Sequence, residues 1–195
     1  VRVISSKSYD RTTTLTRLLS WLIFSVHYFG YLLFCRKPNL VLVSTNPPLA
    51  PIITALISRL RDIPFQVVLY DLYPEALSQA GLVRERNVLF RLWQRANLTV
   101  FRKAGRIFTL SESMKKASLA YVTNPEKVSV IHNWADTTYI RPIPKRNNKF
   151  VSTHGLENDF IVMYSGNMGL THDLESLIEA AEILKGLSDL KFILI

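Results

Sequence analysis

The chain has 195 residues, 48% of them hydrophobic and 20% charged, which excludes a disordered or collagen-like chain. Its single cysteine, Cys35, leaves no intramolecular disulfide and no cysteine-built zinc site, and suits a reducing compartment; the histidines (His27, His132, His154, His172) are too scattered for metal-ligand spacing. The net charge of +9 is uneven: residues 1–150 hold 22 Lys/Arg against 8 Asp/Glu, and residues 151–195 hold 2 against 7. That break predicts two domains with different partners, the basic one facing an anionic surface or a phosphorylated substrate.

Taken in order, the chain opens on a strand pattern at residues 1–4 and closes inside an apolar run at residues 191–195. Both ends read as cut, so a piece of a longer protein is expected. A helical pattern follows over residues 12–35. Its last 18 residues carry no charge and are flanked by Arg17 on one side and Arg36 and Lys37 on the other. Three readings stay open for this segment: a helix dipping into a membrane interface, a core helix, or a membrane span. Apolar β-branched runs then alternate with helical patterns. Strands are expected at residues 40–44, 65–70, 106–110, 128–131, 160–165 and 191–195, with helices at 49–61, 85–103, 112–121 and 172–187. This alternation predicts an α/β fold on a parallel sheet whose strands are buried on both faces. The polar, proline-containing stretch 141–158 coincides with the charge break and reads as a linker. It separates a domain over 1–140 from the start of a second at 159–195.

In a parallel α/β sheet, ligands bind at the carboxyl ends of the strands. Asp71 and Glu75 follow the strand at 65–70 there, as acid, base or hydroxyl-binding groups, or else as caps of a short helix. Ser111 follows the next strand and is placed to cap the helix after it, where backbone N–H groups also suit an anion. His132 and Asn133 open a further loop at the same edge. Gly166, Asn167, Gly169 and His172 join the strand at 160–165 to the next helix; the glycines permit either close backbone approach to a phosphate or simply a tight connection. Finally, Arg84, Arg91, Arg95 and Arg102 fall within about 40° of arc on one helical face. That stripe suits anionic headgroups, or it is a solvated face. No nucleic-acid-binding module is present, so nucleic acid is not an expected partner.

Five motifs stand in one line: Asn46-Pro47-Pro48 after a strand, YDLYPE at 70–75, IFTLSESM at 107–114, VIHNWAD at 130–136 and YSGNMGLTHDLESLIEAA at 164–181. As a set they resemble the retaining family 4 glycosyltransferases of GT-B fold, closest to the WbuB-like group that builds bacterial capsule, colanic-acid or O-antigen sugars. The resemblance runs over the whole chain. It implies two Rossmann-like domains: an acceptor-side N-terminal domain, lacking its first strand or strands, and the first β-α-β of a nucleotide-sugar-binding domain. It implies a nucleotide-sugar donor, a polyprenyl-diphosphate-linked or saccharide acceptor, and a peripheral position on the cytoplasmic face of the inner membrane against an anionic surface. No cofactor and no metal are implied. Asp71 matches the cleft residue beside the donor sugar and is the catalytic candidate; Glu75, Ser111 and Asn133 match cleft positions. Gly166, Asn167, Gly169 and His172 match the loop near the donor phosphates. Tyr70 and Tyr73 stand where these relatives tend to have Arg and Trp. The family's glycine-rich loop and its E-x7-E motif are expected outside Val1–Ile195, so this piece alone should be inactive. A membrane-docked, non-catalytic α/β module of a polysaccharide assembly complex is the alternative reading.

Overall fold

The computed structural model describes residues 14–79, 81, 83–166, 168 and 172–195. They fall into two compact units, the first ending at Asn133 and the second spanning Trp134–Ile195. The strand expected at residues 1–4, Asn167 and Gly169 lie outside the described residues.

The first unit begins with α1 (Thr14–Phe34), whose apolar pattern packs inward rather than standing alone. Phe24 and Tyr28 lean on the core, Leu32 is buried with Ile57 and Ile63, and the Tyr28 and Thr54 hydroxyls bond at 2.8 Å. Leu22, Val26 and Phe34 on the other flank stay exposed. Among the described residues no helix is long and apolar enough to cross a membrane. The C-terminal carbonyls of α1 find a partner across the fold. Arg61 donates to the carbonyl oxygen of Leu32 through Nη1 and to that of Cys35 through Nη2 at 2.8 Å. A cation at this end also offsets the helix dipole.

Four parallel strands follow in the spatial order β1 (Val41–Ser44), β2 (Phe65–Leu69), β3 (Ile107–Thr109), β4 (Val128–Val130). Their connections run through α2 (Ala50–Arg61), then α3 (Glu75–Gln79) and α4 (Val88–Lys103), then α5 (Glu112–Ser118). Right-handed crossovers that always step in one direction place the connecting helices on the same side of the sheet. The burial pattern follows from that. Val43, Phe65, Val67, Leu69, Ile107 and Val128 are buried against Val100, Phe101 and Ala104 of the α4 region. Their neighbours in sequence are not: Leu42 is 62% exposed, and Gln66, Val68, Phe108 and Ser129 are only half-buried. The expectation of strands buried on both faces is therefore corrected. Among the described residues these strands bury one face, and they alternate.

Local chemistry sets the helix boundaries. Asp62 ends α2 in the left-handed region (φ 51°), with its own N–H and that of Ile63 both returning to the Ser58 carbonyl. Asn87 caps α4, its Oδ1 accepting the Leu89 N–H at 2.8 Å. The helix expected from residue 85 thus begins at Val88, and Arg84 precedes it. Arg91, Arg95 and Arg102 do lie along its exposed side, next to exposed Val88 and Leu92.

In the second unit, the stretch expected as linker carries a short helix, α6 (Lys149–Thr153), with Val151 and Leu156 buried. Beyond it, β5 (Phe160–Tyr164), α7 (Leu174–Ile183) and β6 (Leu190–Leu194) form a parallel β-α-β. Asp173 caps α7, its carboxylate accepting the Ser176 N–H and hydroxyl at 3.1 and 2.7 Å. Those bonds hold the Asp173 carboxyl below the usual carboxylate range.

Candidate functional site

All four strands of the first unit point their carboxyl ends the same way, so the loops after them form one edge. Thr45 follows β1, Tyr70 and Asp71 follow β2, Ser111 follows β3, and His132 and Asn133 follow β4. Thr45 is buried and ties the first two loops together. Its Oγ1 accepts the N–H of Tyr70 at 3.0 Å and that of Asp71 at 3.1 Å. The Asp71 side chain is exposed at the edge.

Asp71, Glu75 and Ser111, expected to share a cleft, do line one cavity of about 660 Å³, together with Gln94, Met114 and Tyr121. Glu75 sits in the first turn of α3, half-buried. Its Oε1 accepts from Gln94 Nε2 at 2.8 Å and from the Tyr121 hydroxyl, while its Oε2 is buried and has no donor. Tyr121 packs edge-on against Phe101. Burial, and then the bond to Glu75, push the Tyr121 phenol above its ordinary range. Ser111 performs the capping role read from sequence: its Oγ accepts the Met114 N–H at 3.2 Å and meets the Ser113 hydroxyl at 3.0 Å. Asn133 is exposed and is not part of this lining. His132 Nδ1 lies 3.0 Å from the Leu110 carbonyl oxygen.

In the second unit, Gly166 takes φ 153°, a conformation that side chains rarely adopt, and its N–H donates to the Ile195 carbonyl at 2.8 Å. The pairing of β5 with β6 therefore occupies that amide. His172 is exposed, with Nδ1 2.5 Å from the Tyr164 hydroxyl. When that hydroxyl donates, the imidazole proton resides on Nε2, which is then a donor. Among the described residues, no group of three or more His, Cys, Asp or Glu is placed to hold a metal ion.

Thr45, Gln94 and Tyr121 were not singled out by sequence. Gln94 carried a signal: with Asn97 it interrupts the buried side of α4 with two amides three residues apart. Buried amides of that kind need partners, and Asn97 Nδ2 donates to the Tyr73 carbonyl. Tyr121 carried none, because its contact with Glu75 spans 46 positions.

The family model for Glycosyltransferase Family 4 matches residues 7–139. A protein of Pseudomonas aeruginosa named "Probable glycosyltransferase WbjE" is 23% identical over 150 residues, covering 77% of this chain and 38% of its own length. HepE of Anabaena has a similar fold. Its crystal structure in complex with UDP and glucose matches with a TM-score of 0.60 at 19% identity, covering 95% of this chain and 45% of that one. Its complex with UDP-glucose matches with a TM-score of 0.61 at 19% identity, covering 93% and 44%. The chain thus spans less than half the length of these relatives.

Proposed function

Because this chain belongs to Glycosyltransferase Family 4, we propose that the whole protein moves a sugar from a nucleotide-sugar to a lipid-linked or saccharide acceptor in bacterial surface polysaccharide synthesis. The observation that carries the reading is the grouping of Asp71, Glu75 and Ser111 on one cavity at the carboxyl edge of a parallel sheet, within the span of the family match. The UDP-glucose complex of HepE supports a nucleoside-diphosphate sugar as donor class.

In this reading the bond from the sugar's anomeric carbon to the diphosphate breaks as a bond to the acceptor oxygen forms. The attack comes from the face the leaving group departs, so configuration is retained, and the hydroxyl proton leaves with the diphosphate. Asp71 stands beside the sugar and favours the positive charge that develops there. His172 Nε2 and the loop at Gly166, Asn167 and Gly169 receive the diphosphate. We assign no cofactor and no metal to the step. Arg91, Arg95 and Arg102, with Arg84 just before the helix, face an anionic surface; Val88 and Leu92 are exposed beside them. That arrangement supports a peripheral position on the cytoplasmic membrane face, within reach of a polyprenyl-diphosphate acceptor.

The test uses the full-length protein with UDP-sugars and lipid-linked saccharide acceptors. Asp71→Asn should lower turnover by about a hundredfold or more while leaving the fold intact. Wild-type turnover in that variant makes Asp71 structural, and no turnover with any nucleotide-sugar refutes the transferase reading.

A further inference from the structure

We propose that Trp93 is a positioning residue for Asp71: through one buried water, its indole N–H holds the Asp71 carboxylate in a single orientation. This rests on the glycosyl-transfer reading and adds a residue to that site.

Two polar groups at this edge call for a partner. Thr45 ties the Asp71 backbone at 3.1 Å, but among the described residues no donor holds the Asp71 carboxylate. An aspartate fixed only by its main chain still turns about its side-chain bonds, whereas a reacting group must be kept near one geometry. Trp93 has the complementary need. Its Nε1 is buried, and among the described residues no acceptor reaches it. Buried donors are bonded to protein or to ordered water in the great majority of folds.

Trp93 and Asp71 border the same small cavity, and Asp71 also borders the larger one of about 660 Å³. The small cavity measures about 10 Å³, the least that a single water requires. Thr45 and Asn97 share its wall. Their donors and acceptors match one water. Thr45 Oγ1 accepts the Tyr70 and Asp71 amides, so its hydroxyl hydrogen is left to donate. Asn97 donates through Nδ2 to the Tyr73 carbonyl, so its Oδ1 is left to accept. A water here accepts from Trp93 and Thr45 and donates to Asn97 and Asp71, which completes its four bonds. The other flank of Trp93 offers no substitute. There it lines an apolar cavity with Pro74, Leu77, Val83 and Phe90, and the one polar side chain beside them, Asn87, already accepts the Leu89 N–H. The indole is itself held, stacked on Tyr73 with ring centroids 5.9 Å apart. A rigid neutral donor acting through one water restrains the carboxylate and leaves its negative charge in place.

The experiment uses the full-length protein. In an isotope-labelled sample, the Trp93 indole proton should show an NMR cross-peak to a long-lived water, and lack of that cross-peak overturns the proposal. With UDP-sugars and lipid-linked saccharide acceptors, Trp93→Phe should lower kcat about tenfold and leave KM for the UDP-sugar within about twofold. Made in the Asp71→Asn background, the same exchange should lower kcat by less than about twofold, because the group it orients is gone. Should Trp93→Phe fail to fold, replacing Trp93 by 3-benzothienylalanine, which keeps the ring shape and exchanges the N–H for sulfur, takes its place in both assays. Wild-type kcat in the folded variant, or an equal loss with and without the Asp71 carboxylate, overturns the positioning role while leaving the transfer reading intact. No turnover by the wild-type protein with any nucleotide-sugar refutes the transfer reading itself, whatever the cross-peak shows.

Discussion

Replacing Thr45 by valine removes one oxygen and leaves the side-chain shape almost unchanged. That oxygen accepts two backbone N–H groups, from Tyr70 at 3.0 Å and from Asp71 at 3.1 Å. Each donor left without a partner in a buried setting costs about 1–3 kcal/mol. Tyr70 and Asp71 lie at the exposed edge, where water can serve one of the two, so the low end applies. The expected loss is about 2 kcal/mol for the pair. Thr45→Ser keeps the oxygen and loses one methyl, which costs about 0.8 kcal/mol. The two variants should therefore differ by about 1 kcal/mol, with valine the worse although it fills the space better. Urea unfolding at constant slope measures the difference, and amide exchange locates it. A loss of about 2 kcal/mol corresponds to roughly thirtyfold faster exchange at Tyr70 and Asp71 if those amides open by local unfolding. If valine is as stable as serine and the two amides keep their protection, Thr45 does not organise this edge.

Other outcomes follow from the same contacts. The Tyr121 phenol is raised by burial and by Glu75, and Tyr28 is raised by burial despite its bond to Thr54. An unfolded tyrosine loses its proton near pH 10 while these folded ones retain theirs, so their stabilising contribution is complete below about pH 10 and disappears as pH climbs towards the folded values. Urea midpoints between pH 8 and 11 should show that decline, and Tyr121→Phe should make it shallower; an unchanged slope would remove Tyr121 from the account. Arg61→Met should destabilise the first unit by about 1.5–3 kcal/mol by freeing the carbonyls of Leu32 and Cys35, with Arg61→Lys recovering part of it in thermal unfolding. Changing Arg84, Arg91, Arg95 and Arg102 together to glutamine should reduce sedimentation with anionic liposomes at low salt, and unchanged sedimentation would leave the stripe a solvated face.

The element types were legible because apolar runs and 3.6-residue patterns alternate cleanly. Boundaries moved where a single side chain decided them, as when Asn87 capped α4 three residues later than its periodicity suggested. The burial of the strands was misjudged for a different reason. Short apolar runs such as Phe65–Leu69 look alike whether one face is covered or two, and only the constant direction of the crossovers distinguishes the cases. Asp71, Glu75 and Ser111 could be found at strand ends because the position of a strand end is a local property. Their neighbours Thr45 and Tyr121 could not, since each meets its partner across 25 to 46 positions of chain, and the paired amides Gln94 and Asn97 signal a need for partners without naming them. Gly166 was read as a phosphate-side glycine, and its backbone conformation does require glycine; only the register of β5 and β6 reveals that its amide already has a partner.

The strand order 1-2-3-4 makes position along the chain equivalent to position along the edge. Neighbouring strands lie about 4.8 Å apart, so the loop bearing Asp71 and the loop bearing Asn133, two strands on, are separated by about 10 Å. No single ligand atom can touch both backbones; the edge is read like a ruler, each loop addressing its own segment of an extended molecule. Lengthening or recoding one loop leaves the neighbouring strand pairings in place, because each crossover is anchored by its own helix. A sheet wound in this order can therefore change what it recognises at one end of a ligand while keeping its grip on the other.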